Sequence, residues 1–108
     1  MCVASATAEP LMEACLKRLG VRDYFEFLLS CETVGAGKRS PLVYQESARR
    51  LHAAPAAISV YEDALYAIQT AKDAGYYVVG VYDDSAAKNW QAIEGIADEV
   101  VLNWEEIV

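Results

Sequence analysis

The sequence predicts an α/β fold of three layers, a doubly wound parallel sheet with helices on both faces. Three observations predict it. Short apolar runs alternate along the chain with stretches of helical periodicity. Two of the runs, AISVY and YYVVGVY, are apolar almost throughout rather than at every second residue, the pattern of strands buried on both faces of a parallel sheet. Gly20 and Gly75 stand where helical patterns stop, as helix-ending glycines do.

The elements follow in order. MCVAS is a very short strand, and residues 9–19 form a helix that Gly20 ends. FEFLLS, residues 25–30, is a strand, and CETVGAGKR is a loop. Ser40 can cap the next helix, PLVYQESARRL, with Pro41 at its first position and Leu51 near its end. His52 is read as a polar residue near that helix end. AISVY is a buried strand bounded by Pro55 and by the pair Glu62–Asp63. Residues 63–74 form a helix that packs through Leu65, Ile68 and several alanines. YYVVGVY, β-branched and aromatic, is the next strand, and Asp83–Asp84 form a turn after it. Ser85 can cap a helix over AAKNWQAIEGI, EVVL is the last strand, and NWEEIV is a terminal turn or short helix.

Composition limits the function classes. A chain of 108 residues that is 55% hydrophobic and 23% charged reads as one small globular domain, not a disordered one. A net charge of −7 argues against nucleic acid or an anionic membrane as partner. Cys2, Cys15 and Cys31 form no C-x-x-C pair, which suits a reducing compartment. With His52 the only histidine, a zinc site or a histidine-based triad is hard to assemble. No run approaches the ~20 apolar residues of a membrane span, and MCVASATAEP lacks the basic start and apolar core of a signal peptide. The expected location is cytoplasmic.

Parallel sheets of this kind bind ligands at the carboxyl ends of their strands. Ser5 and Thr7 follow the first strand, Lys38 lies in a glycine-bearing loop, and Glu62–Asp63 follow AISVY. Each has a structural alternative. Ser5 or Thr7 can cap the helix after it, Lys38 can be a solvated loop lysine, and Asp63 can be a helix cap. A cap explains one carboxylate and leaves Glu62 over; a carboxylate pair at a strand end also suits Mg²⁺, which takes oxygen ligands and keeps several waters. VGAGKRS is no P-loop, because Glu32 and Arg39 stand where that motif needs glycine and a hydroxyl. A receiver-type phosphoacceptor domain would place its acids first and its lysine last, whereas the order here is hydroxyl, lysine, acids.

That order resembles the haloacid-dehalogenase superfamily of phosphohydrolases, in its β-phosphoglucomutase-like branch. VASAT is similar to the family's second motif, GAGKRSPLVYQESARRL to its lysine-bearing third, and ISVYEDALYAIQTAKDAGYYVVGVY to its fourth. The resemblance implies a Rossmann-like core in which Ser5, Ala6 and Lys38 bind phosphate. Ser5 would donate a hydrogen bond to the phosphoryl group and Lys38 would neutralise its charge, which makes both catalytic. Glu62 and Asp63 would hold Mg²⁺, and the substrate would be a phosphorylated small molecule.

The family's first motif, a D-x-D-G-T run that carries the nucleophilic aspartate, has no counterpart, since no D-x-D occurs in these residues. The resemblance thus implies a core without its first strand, normally the central one, and without the cap domain. Such a chain is expected to pair its VAS and ISVY strands, to form a homodimer, or to associate with an N-terminal fragment that supplies the strand. Three functions stay open: the C-terminal part of a phosphatase, inactive alone; an enzyme using another nucleophile; and a non-catalytic interaction module that retains the fold and Mg²⁺ or phosphate binding.

Overall fold

A computed structural model describes residues 1–102 and divides them into two compact units, Met1–His52 and the residues from Ala53 onward. The architecture is α/β, and every strand ladder is parallel. The NWEEIV segment, residues 103–108, lies outside the described residues.

The first unit pairs β1 (Val3–Ser5) with β2 (Leu28–Ser30), Ser5 opposite Ser30. Both strands therefore end at one level. Helix α1 (Glu9–Arg18) follows β1, and Gly20 closes its end at φ 75°. Its N-cap is Ala8, with no side-chain cap bond, so neither Ser5 nor Thr7 caps it. FEFLLS narrows to the fully buried Leu28–Ser30, and a 3₁₀ turn at Arg22–Tyr24 precedes it. The expected loop CETVGAGKR begins instead with a one-turn helix, α2 (Cys31–Val34). The buried Ser30 oxygen accepts the Glu32 N–H at 3.1 Å and caps it, and Gly35 ends it in the left-handed region at φ 79°. Helix α3 (Leu42–Leu51) starts one residue later than its sequence suggests, with Pro41 at the N-cap. Ser40 still serves the helix start, since its Oγ accepts the Leu42 N–H at 3.4 Å. His52 is the C-cap of α3, at φ 54°. Met12, Leu29, Val43, Tyr44 and Ala48 make the core of this unit.

Removing the Ser30 hydroxyl leaves a one-turn helix without its cap. Ser30→Ala is expected to cost about 0.5–2 kcal/mol, read as a lower midpoint in a urea titration at unchanged slope.

The second unit orders its strands β3 (Ser59–Glu62), β4 (Tyr77–Val81) and β5 (Glu99–Val101). AISVY is not the buried strand expected: β3 is an outer strand, and Ser59 and Tyr61 are exposed while Val60 and Glu62 are half-buried. The buried pattern belongs to β4, which has neighbours on both sides. Helix α4 (Leu65–Asp73) buries Ala67, Ile68 and Ala71, with Leu65 only half-buried, and Gly75 follows it at φ 95°. It starts two residues after Asp63 and takes Ala64 as N-cap without a side-chain bond, so the cap role for Asp63 is overturned. After β4 the chain forms a 3₁₀ helix, Asp84–Asn89, and then α5 (Trp90–Ile96), instead of one helix capped by Ser85. Asp83 is the cap: its Oδ2 accepts the Ser85 N–H at 3.1 Å and also the Ser85 hydroxyl.

Every ladder among the described residues stays within one unit, so VAS pairs with β2 and ISVY with β4 instead of with each other. Cys2, Cys15 and Cys31 are free thiols. Among the described residues no helix is long and apolar enough to cross a membrane.

Candidate functional site

Each unit carries one part of the expected set. In the first, Ser5 is the last residue of β1 and is half-buried. Its Oγ accepts the Thr7 N–H at 3.1 Å, which folds residues 5–7 into a tight turn at the sheet's carboxyl edge. A serine hydroxyl that accepts one bond still has its own proton to donate. Ala6 is exposed within that turn. Lys38 is half-buried in the loop between α2 and α3, in a turn where the Ser40 N–H donates to the Gly37 carbonyl at 3.0 Å. Because β2 ends level with β1 and α2 is a single turn, about 6 Å long, the Lys38 loop departs from the same edge as the Ser5 turn.

In the second unit Glu62 ends β3, in register with Gly80 of β4. Glu62 Oε1 accepts the Asp63 N–H at 3.2 Å, so the pair is folded over the strand end and both residues are half-buried. Burial pushes the Asp63 carboxyl above its ordinary range, and the hydrogen bond and negative charge of Glu62 push it further. The charge of Asp83 adds to that rise. Asp83 follows β4 and was read from the sequence as part of a turn only. Its place just past the carboxyl end of the strand paired with β3 was the available signal.

The donor set fits a hard divalent cation. Glu62 and Asp63 offer neighbouring carboxylates, and the Asp63 carboxyl is raised first by burial and then by Glu62, both of which a bound cation offsets. Asp83 is engaged in capping: its Oδ2 accepts the hydroxyl and backbone N–H of Ser85, and both bonds hold its carboxyl below its ordinary range. Among the described residues no group of three or more His, Cys, Asp or Glu side chains is arranged to hold a metal. Two carboxylates suit Mg²⁺, which completes its shell with water and substrate oxygens, better than a metal needing an all-protein cage.

Comparison with known proteins gives a consistent picture. The family model for haloacid dehalogenase-like hydrolases matches residues 1–75. The chain is 32% identical over 108 residues to a phosphorylated carbohydrates phosphatase of Thermotoga maritima, an alignment that covers 94% of this chain and 50% of that protein. It is 33% identical over 81 residues to the fructose-1-phosphate phosphatase YqaB of Escherichia coli, covering 75% of this chain and 43% of the relative. Among solved structures, a β-phosphoglucomutase from Clostridium difficile superposes with a TM-score of 0.72 at 25% identity, over 99% of this chain and 47% of that one. The chain thus spans about half the length of the curated relatives it matches.

Proposed function

The chain belongs to the haloacid dehalogenase-like hydrolases, and on that premise we propose that it handles a phosphoryl group, as the C-terminal core of a Mg²⁺-dependent phosphate monoester hydrolase or phosphomutase. The observation that carries this reading is the order of a hydroxyl, a lysine and a carboxylate pair, with Ser5 and Glu62 each the last residue of a parallel strand. In the proposal Ser5 donates its hydroxyl proton to a phosphoryl oxygen, and Ala6, which has no polar side chain, contributes only its backbone N–H. Lys38 neutralises charge on the same group. Charge placed in advance where it develops during transfer is the main way such reactions are accelerated. Glu62 and Asp63 would hold Mg²⁺, which supplies electrostatic stabilisation of the phosphoryl oxygens when bound.

The nucleophile is the part these residues do not supply. Asp83, the acid nearest in role, is committed to capping through Ser85. The 108 residues are therefore proposed to act as one partial core, inactive alone and completed in trans by an N-terminal fragment that carries the aspartate. The substrate is a phosphorylated small molecule, and the setting is the cytoplasm.

Two measurements test the proposal together. Inorganic phosphate titrated into the chain is expected to shift the amide resonances of Ser5, Ala6 and Lys38 saturably, and Lys38→Ala is expected to weaken binding about fivefold, the scale of a partly exposed charge pair. Hydrolysis of p-nitrophenyl phosphate with Mg²⁺ is expected to stay at background. Turnover would reveal another nucleophile, and phosphate that leaves all three amides unmoved would sink the phosphoryl role.

A further inference from the structure

We infer that Glu9 and Thr33 are positioning residues whose hydrogen bond couples the turn carrying Ser5 to the loop carrying Lys38. The Thr33 hydroxyl donates to Glu9 Oε2 across 24 residues of sequence. Glu9 is the first residue of α1, directly after the Ser5 turn, and Thr33 lies in α2, directly before the Lys38 loop. The bond therefore joins the two chain segments that leave the carboxyl edge of the β1–β2 sheet.

The coupling has a physical reason to matter. A one-turn helix has no stability of its own, because nucleation fixes several residues for a single backbone bond. α2 must be held by what surrounds it: the buried Cys31 packs it into the core, the Ser30 cap holds its start, Gly35 its end, and a bond runs from Thr33 to Glu9. The cap and the glycine are local and set where the helix starts and stops. The bond from Thr33 refers α2, and hence the start of the Lys38 loop, to the segment that carries Ser5. A hydroxyl and a lysine that grip one phosphoryl group must keep a fixed separation, since small displacements of a catalytic group are costly. The inference rests on Ser5 and Lys38 serving a common phosphate, but the tie itself can be tested without phosphate.

The test uses the 108-residue chain and three forms of residue 33. Thr33→Val keeps shape and volume and removes the donor, whereas Thr33→Ser keeps the donor. Without phosphate, Thr33→Val is expected to speed amide hydrogen exchange both at Thr7 and across residues 37–40, while Thr33→Ser leaves both near wild type. Faster exchange in the 37–40 loop alone, or equal effects of the two variants, would overturn the coupling. With inorganic phosphate, Thr33→Val is expected to bind about two- to tenfold more weakly, the span of one modest hydrogen bond, and Thr33→Ser is expected to restore affinity. Unchanged phosphate affinity in Thr33→Val would overturn the positioning role. Wild-type chain that binds no phosphate while Thr33→Val loosens both segments would fail the phosphoryl reading and leave the tie standing.

Discussion

Gly80→Ala is expected to destabilise the second unit by about 1–3 kcal/mol, the usual range for forcing extra volume into a packed interior. Gly80 sits mid-strand in β4, and a Cβ built there would lie 2.7 Å from Ile93 Cγ2, with Val100 Cγ1 at 3.4 Å and the Ala97 Cβ at 3.5 Å. Ile93 is fully buried and β-branched, so its methyl cannot swing aside as the tip of a long side chain could. Relief would require α5 to lift from the sheet. In a domain of this size the melting temperature falls by about 4–8 °C per kcal/mol, so thermal unfolding resolves the effect easily. A double-mutant cycle separates the clash from other causes: Ile93→Ala removes the offending methyl, and the double variant is expected to lose less than the two single losses added together. Additive losses would place the cost of the substitution elsewhere than at Ile93.

The same glycine shows which features were legible before any coordinates. A lone glycine inside an apolar strand run signals close approach by another element, and YYVVGVY carries that signal plainly. The alternation of strands and helices was equally open to view, because each apolar run and each glycine stop acts over a few residues. Features that depend on distant partners were not. Whether AISVY is buried depends on which strands flank it, and an outer position leaves Ser59 and Tyr61 exposed. Helix α2 was hidden because its cap, Ser30, lies inside a strand run and its stop, Gly35, looked like ordinary loop glycine. The choice between Ser85 and Asp83 as cap turned on two residues of phase, and Asp83 took it because its carboxylate reaches both the N–H and the hydroxyl of Ser85. The order of Ser5, Lys38 and Glu62–Asp63 stands in the sequence and drew its expected roles from the family resemblance, whereas the tie between Glu9 and Thr33 spans 24 residues and has no local signature.

The acid pair yields the last expected result, in which neutralising Asp63 stabilises the metal-free chain at neutral pH. Burial first, then Glu62, and then Asp83 raise the Asp63 carboxyl above its ordinary range. An acid whose folded pKa lies above its unfolded value holds its proton more tightly in the folded state, so its ionisation works against folding. Its favourable contribution is complete below the unfolded value, about 3.9, and is lost as pH rises through the raised folded value. Asp63→Asn, which cannot ionise, is therefore expected to gain stability relative to wild type between pH 3 and pH 7 when Mg²⁺ is withheld. Added Mg²⁺ should reverse the comparison, because a cation held by Glu62 and Asp63 offsets the repulsion only where both charges exist. At a concentration ten times its Kd the wild-type chain is expected to gain about 1.4 kcal/mol, and Asp63→Asn to gain little at the same concentration. Thermal unfolding at both pH values, with and without Mg²⁺, reads all four arms. A variant that gains nothing at pH 7 would deny the cost of ionising Asp63 in the folded chain, and one that keeps the full Mg²⁺ gain would move the cation away from the pair. If both expectations hold, the ionised Asp63 carboxylate, buried and set beside Glu62, is a stability cost that the folded chain carries because the same charges bind metal.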